Sequence, residues 1–278
     1  LTAVLPRDGL RGFDARIDSD IPVGSGLSSS AALTIATGRV LRALFSLPLD
    51  DVALAGLARR AETEFAGAPI GIMDQMACSL ADTATALFLD TRSLEYARVP
   101  LPAGSALVVI DSGVVHDHAA GQYRVRRAEC TEAAARLGVP ELRDAEHLAD
   151  ILRLPPPLDR RARHVVTENA RVLAAVEALR AGDCRWAGAL FDESHASMRD
   201  DFEISVPAID RLVGLAREAP GVYGARMTGG GFGGAIVALA EAGAAARAAA
   251  EVVAAYNRLS GHRGRALVPE PPPPPFRS

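Results

Sequence analysis

The spacing of apolar and polar residues along the chain predicts a mixture of helices and strands. Residues 13–18 alternate between apolar and polar, which predicts a half-buried strand. The short apolar runs at residues 85–90 and 106–112 predict two more strands. Small and apolar residues continue almost unbroken from Ser28 onward, and they indicate a buried helix that Pro48 ends.

Helical spacing dominates the rest of the chain. Asp50 can cap a helix that reaches about Phe65. Strand-like runs flank a glycine cluster within residues 221–239, and the proline-rich tail from Pro269 predicts extended, disordered chain. Strands and helices without strict β-α-β alternation predict an α+β fold in two lobes. Further helical patterns cover residues 123–137, 159–181, 184–199, 207–219 and a stretch that ends near residue 259.

Composition narrows the class of partner. The 278 residues are 49% hydrophobic and 23% charged, enough for a folded core, and their net charge is −4. That balance gives no electrostatic reason to bind nucleic acid or an anionic membrane, so a small-molecule partner is favoured. The three cysteines, Cys78, Cys130 and Cys184, are too widely spaced to indicate a disulfide framework or a zinc site. With no apolar run long enough for a bilayer and no signal-peptide pattern, we expect a cytoplasmic protein.

All thirty basic residues are arginine, and the sequence contains no lysine. A GC-rich genome explains this bias without any functional meaning. A P-loop of the G-x-x-x-x-G-K-[ST] type and Schiff-base chemistry both need a lysine, so both are excluded. The six histidines lack the spacing of a zinc site, and His116 with His118 alone is a weak metal signal.

The stretch IPVGSGLSSSAAL, residues 21–33, places glycines and serines at the start of a predicted helix. Gly24 and Gly26 allow positive φ and close approach, and the free amides and dipole of a helix that begins at Ser28 would attract phosphate. The alternative is that Ser28 merely caps the helix and the glycines form a turn. Because Ser29 stands where the Rossmann pattern needs its third glycine, a dinucleotide ligand is disfavoured.

Two glycine-rich stretches together resemble the GHMP kinase family. PVGSGLSSSAA is similar to its phosphate-binding signature, and MTGGGFGGA, residues 227–235, is similar to its C-terminal glycine motif. GIMDQ at 71–75, QYRVRR at 122–127 and ESHASMRDDFEISVPAID at 193–210 resemble the galactokinase branch of that family. This resemblance, which runs from about residue 13 to residue 239, implies phosphorylation of α-D-galactose to galactose 1-phosphate by ATP with Mg²⁺.

The resemblance also implies which residues bind the nucleotide and the metal. Ser30 would ligate Mg²⁺ together with Glu62, since hydroxyl and carboxylate oxygens suit this ion. Taken alone, Glu62 is an ordinary solvated glutamate on an arginine-rich helix face, and Glu64 is a nearby rival. The backbone amides that would hold the ATP phosphates belong to Gly24, Ser25, Gly26, Leu27, Ser28, Ser29 and Ser30.

The implied sugar site centres on Asp74. An acidic residue among apolar neighbours at a helix start has either a capping or a functional role, and the resemblance implies that Asp74 is the base for the sugar hydroxyl. Gly71 would let the backbone approach the sugar. Tyr123 would contact the sugar, or else be a partly buried helix tyrosine. The glycines within residues 229–234 would bring main chain to the site from the other lobe, or form only a flexible connection between strands.

The predicted organisation is a truncated N-terminal ATP-binding domain (1–112), a C-terminal domain (113–268) and a proline-rich tail (269–278). Galactokinases carry a signature R-x-N-x-x-G-E-H-x-D that supplies sugar contacts and has no counterpart here. We therefore expect part of the first lobe to be missing and this chain alone, a monomer, to be inactive on galactose. The alternatives are another sugar kinase, such as an N-acetylgalactosamine kinase, and a non-catalytic galactokinase-like protein that binds nucleotide and regulates a partner.

Overall fold

The fold was analysed in a computed structural model that describes residues 1–5, 10–67, 70–114 and 119–267. The predicted disordered tail from Pro269 and the pair His116 and His118 lie outside these ranges. None of the helices in the described ranges combines the length and the apolar character that crossing a membrane requires.

Three helices open the structure: α1 (Ser29–Leu44), α2 (Asp51–Glu64) and α3 (Met73–Leu80). Asp50 caps α2 as predicted, because its carboxylate accepts a hydrogen bond of 2.6 Å from the amide of Ala53. The inner faces of the three helices share one apolar cluster, to which α1 contributes Ile35 and α3 contributes Met76. These contacts fix the starts of α1 and α3 relative to α2.

A two-stranded antiparallel sheet follows, made of β1 (Thr85–Leu89) and β2 (Tyr96–Pro100). Next along the chain is β3 (Ser105–Asp111), which is an inner strand of a second sheet rather than a third strand of the first. The strands at 85–90 and 106–112 are therefore confirmed. The sequence pattern missed β2, in which Arg98 interrupts the apolar positions.

The second sheet has the order β4-β5-β3-β6, and its neighbouring strands are antiparallel. The helical predictions in this half agree with the structure to within a few residues, and the short elements at 142–151 were not predicted. The remaining elements are α4 (Ala119–Leu137), a 3₁₀ helix (Leu142–Asp144), α5 (Leu148–Ile151), α6 (Leu158–Arg180), α7 (Cys184–Asp200), α8 (Pro207–Glu218), β4 (Val222–Met227), β5 (Ala235–Glu241), α9 (Ala242–Ser260) and β6 (Arg265–Leu267).

The largest core lies between the second sheet and helices α8 and α9. Ile110 of β3, Ile209 and Leu212 of α8, Ile236 of β5 and Tyr256 of α9 are buried there. Within β3, Val108 and Ile110 are more buried than Leu107 and Val109, as the period-2 pattern of a strand requires, whereas β5 is buried at five of its seven positions. The structure thus confirms an α+β fold.

The strand predicted at residues 13–18 is wrong. This segment is exposed throughout and pairs with no strand of the described residues. Its apolar positions Phe13 and Ile17 are 41% and 63% exposed, and Phe13 makes an edge contact with Phe45. Alternation alone does not make a strand, because the backbone also needs a neighbour for its hydrogen bonds.

Candidate active site

The loop before α1 adopts the left-handed backbone that its glycines allow. Gly24 and Gly26 have φ of 79° and 72°, and Ser28 has φ of 58° although it is not a glycine. Ser28 occupies the N-cap position, but its side chain makes no capping hydrogen bond. In the described part of the chain, the amides of Ser29, Ser30 and Ala31 find no acceptor. This helix start therefore presents free N–H groups, which is the arrangement that binds phosphate.

The second glycine segment packs directly against this loop. A Cβ on Gly229 would lie 2.6 Å from the carbonyl oxygen of Gly26, and a Cβ on Gly234 would lie 2.8 Å from that of Ser25. Both positions also have positive φ, 80° and 83°. Side chains at these two positions would collide with the loop, so glycine is required for the close approach of the two backbones.

Hydrogen bonds from other segments hold the turn between β4 and β5 in place. Phe232 donates its amide to the carbonyl of Ile204 at 2.6 Å, and Gly234 donates to the carbonyl of Val114 at 3.0 Å. The Ser112 hydroxyl donates to the carbonyl of Gly234 at 2.5 Å, and Ser112 is fully buried. The glycine segment is thus a packed turn between two strands, with defined partners in two other parts of the chain.

Glu62 is buried next to the start of α1, with 7% of its surface exposed. Its Oε2 accepts a hydrogen bond of 2.6 Å from the Ser30 hydroxyl. Its Oε1 accepts bonds of 3.1 Å from Thr34 and 2.9 Å from the side-chain amide of Gln75. Helices α1, α2 and α3 therefore meet at one carboxylate.

Glu64, the rival for this position, lies on another side of α2. It pairs with Arg60 at 2.9 Å, and its side chain is 47% exposed. The hydrogen bond from Arg60 holds the pKa of Glu64 below its usual range. Two residues along a helix correspond to a rotation of about 200°, which explains why Glu62 and Glu64 have such different surroundings.

The donor set around Glu62 fits a magnesium ion. Within the described ranges, the donors to its carboxylate are uncharged side chains, and no cationic side chain there pairs with it. A buried carboxylate with no counter-ion is costly, and a divalent cation compensates such a charge. The described residues contain no group of three or more His, Cys, Asp or Glu that could hold a metal, and Mg²⁺ needs only one or two protein oxygens.

Asp74 lies in the first turn of α3, one residue before Gln75. Its carboxylate is half-buried and makes no hydrogen bond or ion pair with another described residue. Its charge acts on Cys78, one turn further along α3: burial raises the pKa of the Cys78 thiol, and the carboxylate of Asp74 raises it further. Because Asp74 caps no amide of the described chain, its carboxylate is available to accept a proton from a ligand.

The two remaining sugar-site candidates are open to solvent. Gly71 is exposed, and a Cβ added there would meet no atom of the described chain within 4 Å. Tyr123 lies in α4 and is 40% exposed, with no hydrogen bond from its hydroxyl to another described residue. Their role towards a sugar remains a prediction.

Sequence reasoning missed Thr34 and Gln75, which both donate to Glu62. Thr34 follows Ser30 by four residues, so the i, i+4 spacing of a helix could have placed both hydroxyls on one face. Gln75 lies inside the GIMDQ stretch, but no local pattern shows that its amide reaches a residue of α2. Only the packing of α2 against α3 creates that contact.

Two family models match the chain. The model described as GHMP kinases N terminal domain matches residues 1–82, and the model described as GHMP kinases C terminal matches residues 175–258. The first match contains the loop before α1 and the Glu62 carboxylate. The second contains the glycine turn between β4 and β5, so the two segments that meet at Gly26 and Gly229 belong to separate family models.

Galactokinases are similar to the chain over nearly its whole length. The galactokinase of Chloroflexus aggregans is 46% identical over 275 residues, which cover 95% of this chain and 70% of that protein. The galactokinase of Pasteurella multocida is 47% identical over 236 residues, which cover 82% of this chain and 61% of that protein. The chain thus spans about two thirds of the length of these relatives.

Solved structures show the same relationship. Lactococcus lactis galactokinase, crystallised with galactose, superposes with a TM-score of 0.83 at 32% identity, over 89% of this chain and 66% of that chain. L. major mevalonate kinase, crystallised with R-mevalonate, superposes with a TM-score of 0.56 at 20% identity, over 82% of this chain and 61% of that chain, which shows a shared fold alone. The chain therefore belongs to the GHMP kinase family and, within it, to the galactokinases.

Proposed function

We propose that this chain carries the phosphoryl-transfer site of a galactokinase that uses ATP and Mg²⁺. In the reaction, the anomeric oxygen of α-D-galactose forms a bond to the γ-phosphorus of ATP. The bond from that phosphorus to the β,γ-bridging oxygen breaks, and ADP leaves with the electron pair. The hydroxyl proton of the sugar passes to a carboxylate of the protein, and the product is galactose 1-phosphate.

One observation carries the proposal: the uncapped start of α1 and the buried Glu62 carboxylate meet at Ser30. Free amides favour phosphate, and a buried carboxylate without a counter-ion favours a cation. A nucleoside triphosphate with a divalent metal supplies both charges at once. A simple anion would satisfy the amides and leave Glu62 uncompensated.

The residues of this chain have separate roles in the proposed reaction. The amides from Gly24 to Ser30 hold and orient the ATP phosphates, and the positive end of the α1 dipole stabilises negative charge that develops during transfer. Ser30 and Glu62 hold the Mg²⁺ ion, which when bound neutralises phosphate charge. Asp74 accepts the proton of the sugar hydroxyl. Gly71 and Tyr123 lie against the sugar.

The test is galactose-dependent release of ADP by the full-length enzyme and by two of its variants. Asp74→Asn keeps the shape of the side chain and removes its charge, so kcat should fall by about 10²–10⁴-fold. Affinity for Mg·ATP, measured by calorimetry, should stay within about twofold, a difference of only about 0.4 kcal/mol. Ser30→Ala should weaken Mg·ATP binding itself. Near-normal kcat in Asp74→Asn would remove this residue from the mechanism.

A panel of sugars separates the galactokinase proposal from its neighbours. We expect galactose to be phosphorylated in preference to N-acetylgalactosamine, glucose and mannose. Faster turnover of N-acetylgalactosamine would reassign the substrate but keep the site. Binding of Mg·ATP with no turnover of any sugar by the full-length protein would favour a regulatory role instead.

The reaction also fits a reducing cytoplasm. ATP is the phosphate donor, and the described cysteines Cys78, Cys130 and Cys184 are free thiols. Burial raises the pKa of Cys130 to about 11, which keeps this thiol protonated and unreactive. A reducing compartment leaves all three in the state that the structure has.

A further inference from the structure

Among the described residues, Gln75 is the one donor to Glu62 that does not come from α1. Thr34 and Ser30 both belong to α1, while the side-chain amide of Gln75 reaches across from α3 and donates to Oε1 of Glu62 at 2.9 Å. Gln75 is fully buried. Its contact therefore joins the helix that carries Asp74 to the proposed metal ligand on α2.

The amide of Gln75 is poorly satisfied for a buried group. Its Oε1 is buried and has no hydrogen-bond partner among the described residues. Turning the amide over would point this oxygen at the carboxylate of Glu62, so the charge of Glu62 fixes the orientation that is present. A buried polar side chain with one satisfied end would be better replaced, for stability alone, by an apolar residue of the same length.

The rest of α3 has structural hydrogen bonds that do not involve Glu62. The Ser79 hydroxyl donates to the carbonyl of Asp51 at 2.8 Å, and Arg39 donates to the carbonyl of Ser79 at 2.8 Å. These bonds attach the end of α3 to α1 and α2. These attachments do not depend on the contact between Gln75 and Glu62, which leaves that contact available for a role at the site.

We propose that Gln75 is a positioning residue of the proposed kinase site: it holds the Glu62 carboxylate turned towards Ser30 and sets the distance between that metal ligand and Asp74. This inference depends on the proposed function. Without the amide, the carboxylate keeps two donors among the described residues, both from α1, and no described group of α3 stops it from rotating away. Loss of such an outer hydrogen bond to a metal ligand typically weakens metal binding by about 10–100-fold.

The main variant for the test is Gln75→Met, which keeps the length of the side chain and removes the donor. Gln75→Asn is the second variant, because it keeps the amide but is one methylene too short to reach Glu62. The matched control is Ser79→Ala, which removes a buried structural hydrogen bond from the same helix without touching Glu62. All are made in the full-length enzyme.

The first readout is the affinity of Mn²⁺, used as a paramagnetic substitute for Mg²⁺, in the presence of ADP, measured by electron paramagnetic resonance. We expect both Gln75 variants to bind Mn²⁺ at least about tenfold more weakly than the parent. Ser79→Ala should keep the parent affinity within about twofold and should lower the melting temperature instead. The second readout is kinetic: the Mg²⁺ concentration for half-maximal rate should rise as Mn²⁺ affinity falls, while KM for galactose stays within about twofold.

The outcomes separate this inference from the proposed function. A parent enzyme that neither binds Mn·ADP nor releases ADP with galactose would overturn both the proposed function and this inference. An active parent whose Gln75→Met and Gln75→Asn variants bind Mn²⁺ within about twofold of it would overturn the role of Gln75 alone. If both variants fail to fold while Ser79→Ala folds, Gln75 is a residue of the fold and the inference is also wrong.

Discussion

At the scale of single residues, Glu62 and Glu64 show how two neighbouring carboxylates on one helix acquire different chemistry. Glu62 is buried against three uncharged donors, whereas Glu64 is exposed and paired with Arg60. An exposed pair one helical turn apart contributes little to stability. A buried carboxylate without a counter-ion has stronger interactions with any cation that reaches it.

This contrast gives a matched pair of substitutions. Glu62→Gln preserves shape and removes the charge, so we expect the kcat of the galactokinase reaction to fall by about 10²–10³-fold, as when one electrostatic stabiliser of a transition state is lost. Glu64→Gln removes the same charge two residues away and should keep kcat within about twofold. Steady-state kinetics at saturating Mg·ATP and galactose measures both. Equal losses in the two variants would show that Glu62 has no special role.

At the scale of elements, the site forms where two turns meet. The loop before α1 and the turn between β4 and β5 are in backbone contact through Gly26 and Gly229. They lie more than two hundred residues apart in the sequence: the first precedes α1, and the second connects β4 to β5. The hydrogen bonds from Phe232 and Gly234 to their backbone acceptors keep the second turn in the position that this contact requires.

Gly229 and Gly230 are adjacent but have different tolerance for a side chain. Gly229→Ala would place a methyl group 2.6 Å from the Gly26 oxygen in a backbone with φ of 80°, whereas a Cβ on Gly230 would meet no atom of the described residues within 4 Å. We expect Gly229→Ala to destabilise the protein by about 1–3 kcal/mol and to weaken Mg·ATP binding, because the loop before α1 must move. Gly230→Ala should change neither. Thermal unfolding and calorimetry report on the two effects, and equal affinities for Mg·ATP would show that the contact is irrelevant to the nucleotide.

At the scale of the whole molecule, buried polar residues tie the helices of the second half together. The guanidinium of Arg161 in α6 is 2% exposed and bonds to Glu129 of α4 at 2.7 Å. It also bonds to Glu203, just after α7, at 2.6 Å. His164, one turn further along α6, accepts or donates a bond of 2.9 Å with Ser197 and stacks on Phe202. These contacts connect α4, α6 and α7 to the segment that supports the glycine turn.

The burial of His164 makes stability depend on pH in a known direction. Burial lowers the pKa of this imidazole from its usual 6.5 to about 4, so between these values the unfolded chain binds a proton that the folded protein does not. Protonation therefore favours unfolding: the stabilisation from neutral His164 is fully present above pH 6.5 and is lost as the pH falls towards 4. Between pH 7 and pH 5.5, where most carboxylates stay ionised, the free energy of unfolding should decrease by about 1 kcal/mol from this residue alone.

Urea unfolding at several pH values tests this prediction. His164→Gln should flatten the slope of stability against pH between 7 and 5.5, even if it lowers stability at pH 7 through lost stacking on Phe202. His147→Gln, a change at an exposed histidine before α5, is the control and should keep the parent slope. An unchanged slope in His164→Gln would mean that this imidazole titrates alike in the folded and unfolded states.

Local signals in the sequence were sufficient for most of the helices. Asp50 has the side chain and spacing of an N-cap, and its bond to Ala53 is a contact within one turn. Pro207 stands at the first position of α8, where its missing N–H has no consequence. The glycines at 24, 26, 229 and 234 are likewise local markers, because positive φ is a property of one residue. The absence of lysine likewise excluded lysine-dependent sites, because composition needs no tertiary information.

The tertiary structure decided every feature that depends on contacts between segments distant in sequence. Residues 13–18 have the alternation of a strand, but no described strand lies beside them, so the pattern is not realised. The resemblance implied Glu62 with Glu64 as a rival, and only the packing of α1, α2 and α3 buries one and exposes the other. Gln75 belongs to the quoted GIMDQ stretch, but no local pattern indicated that its amide reaches Glu62. Propensity, capping and φ preferences act over a few residues, whereas burial, pairing of strands and the meeting of a hydroxyl, a carboxylate and an amide depend on chain segments that are distant in sequence.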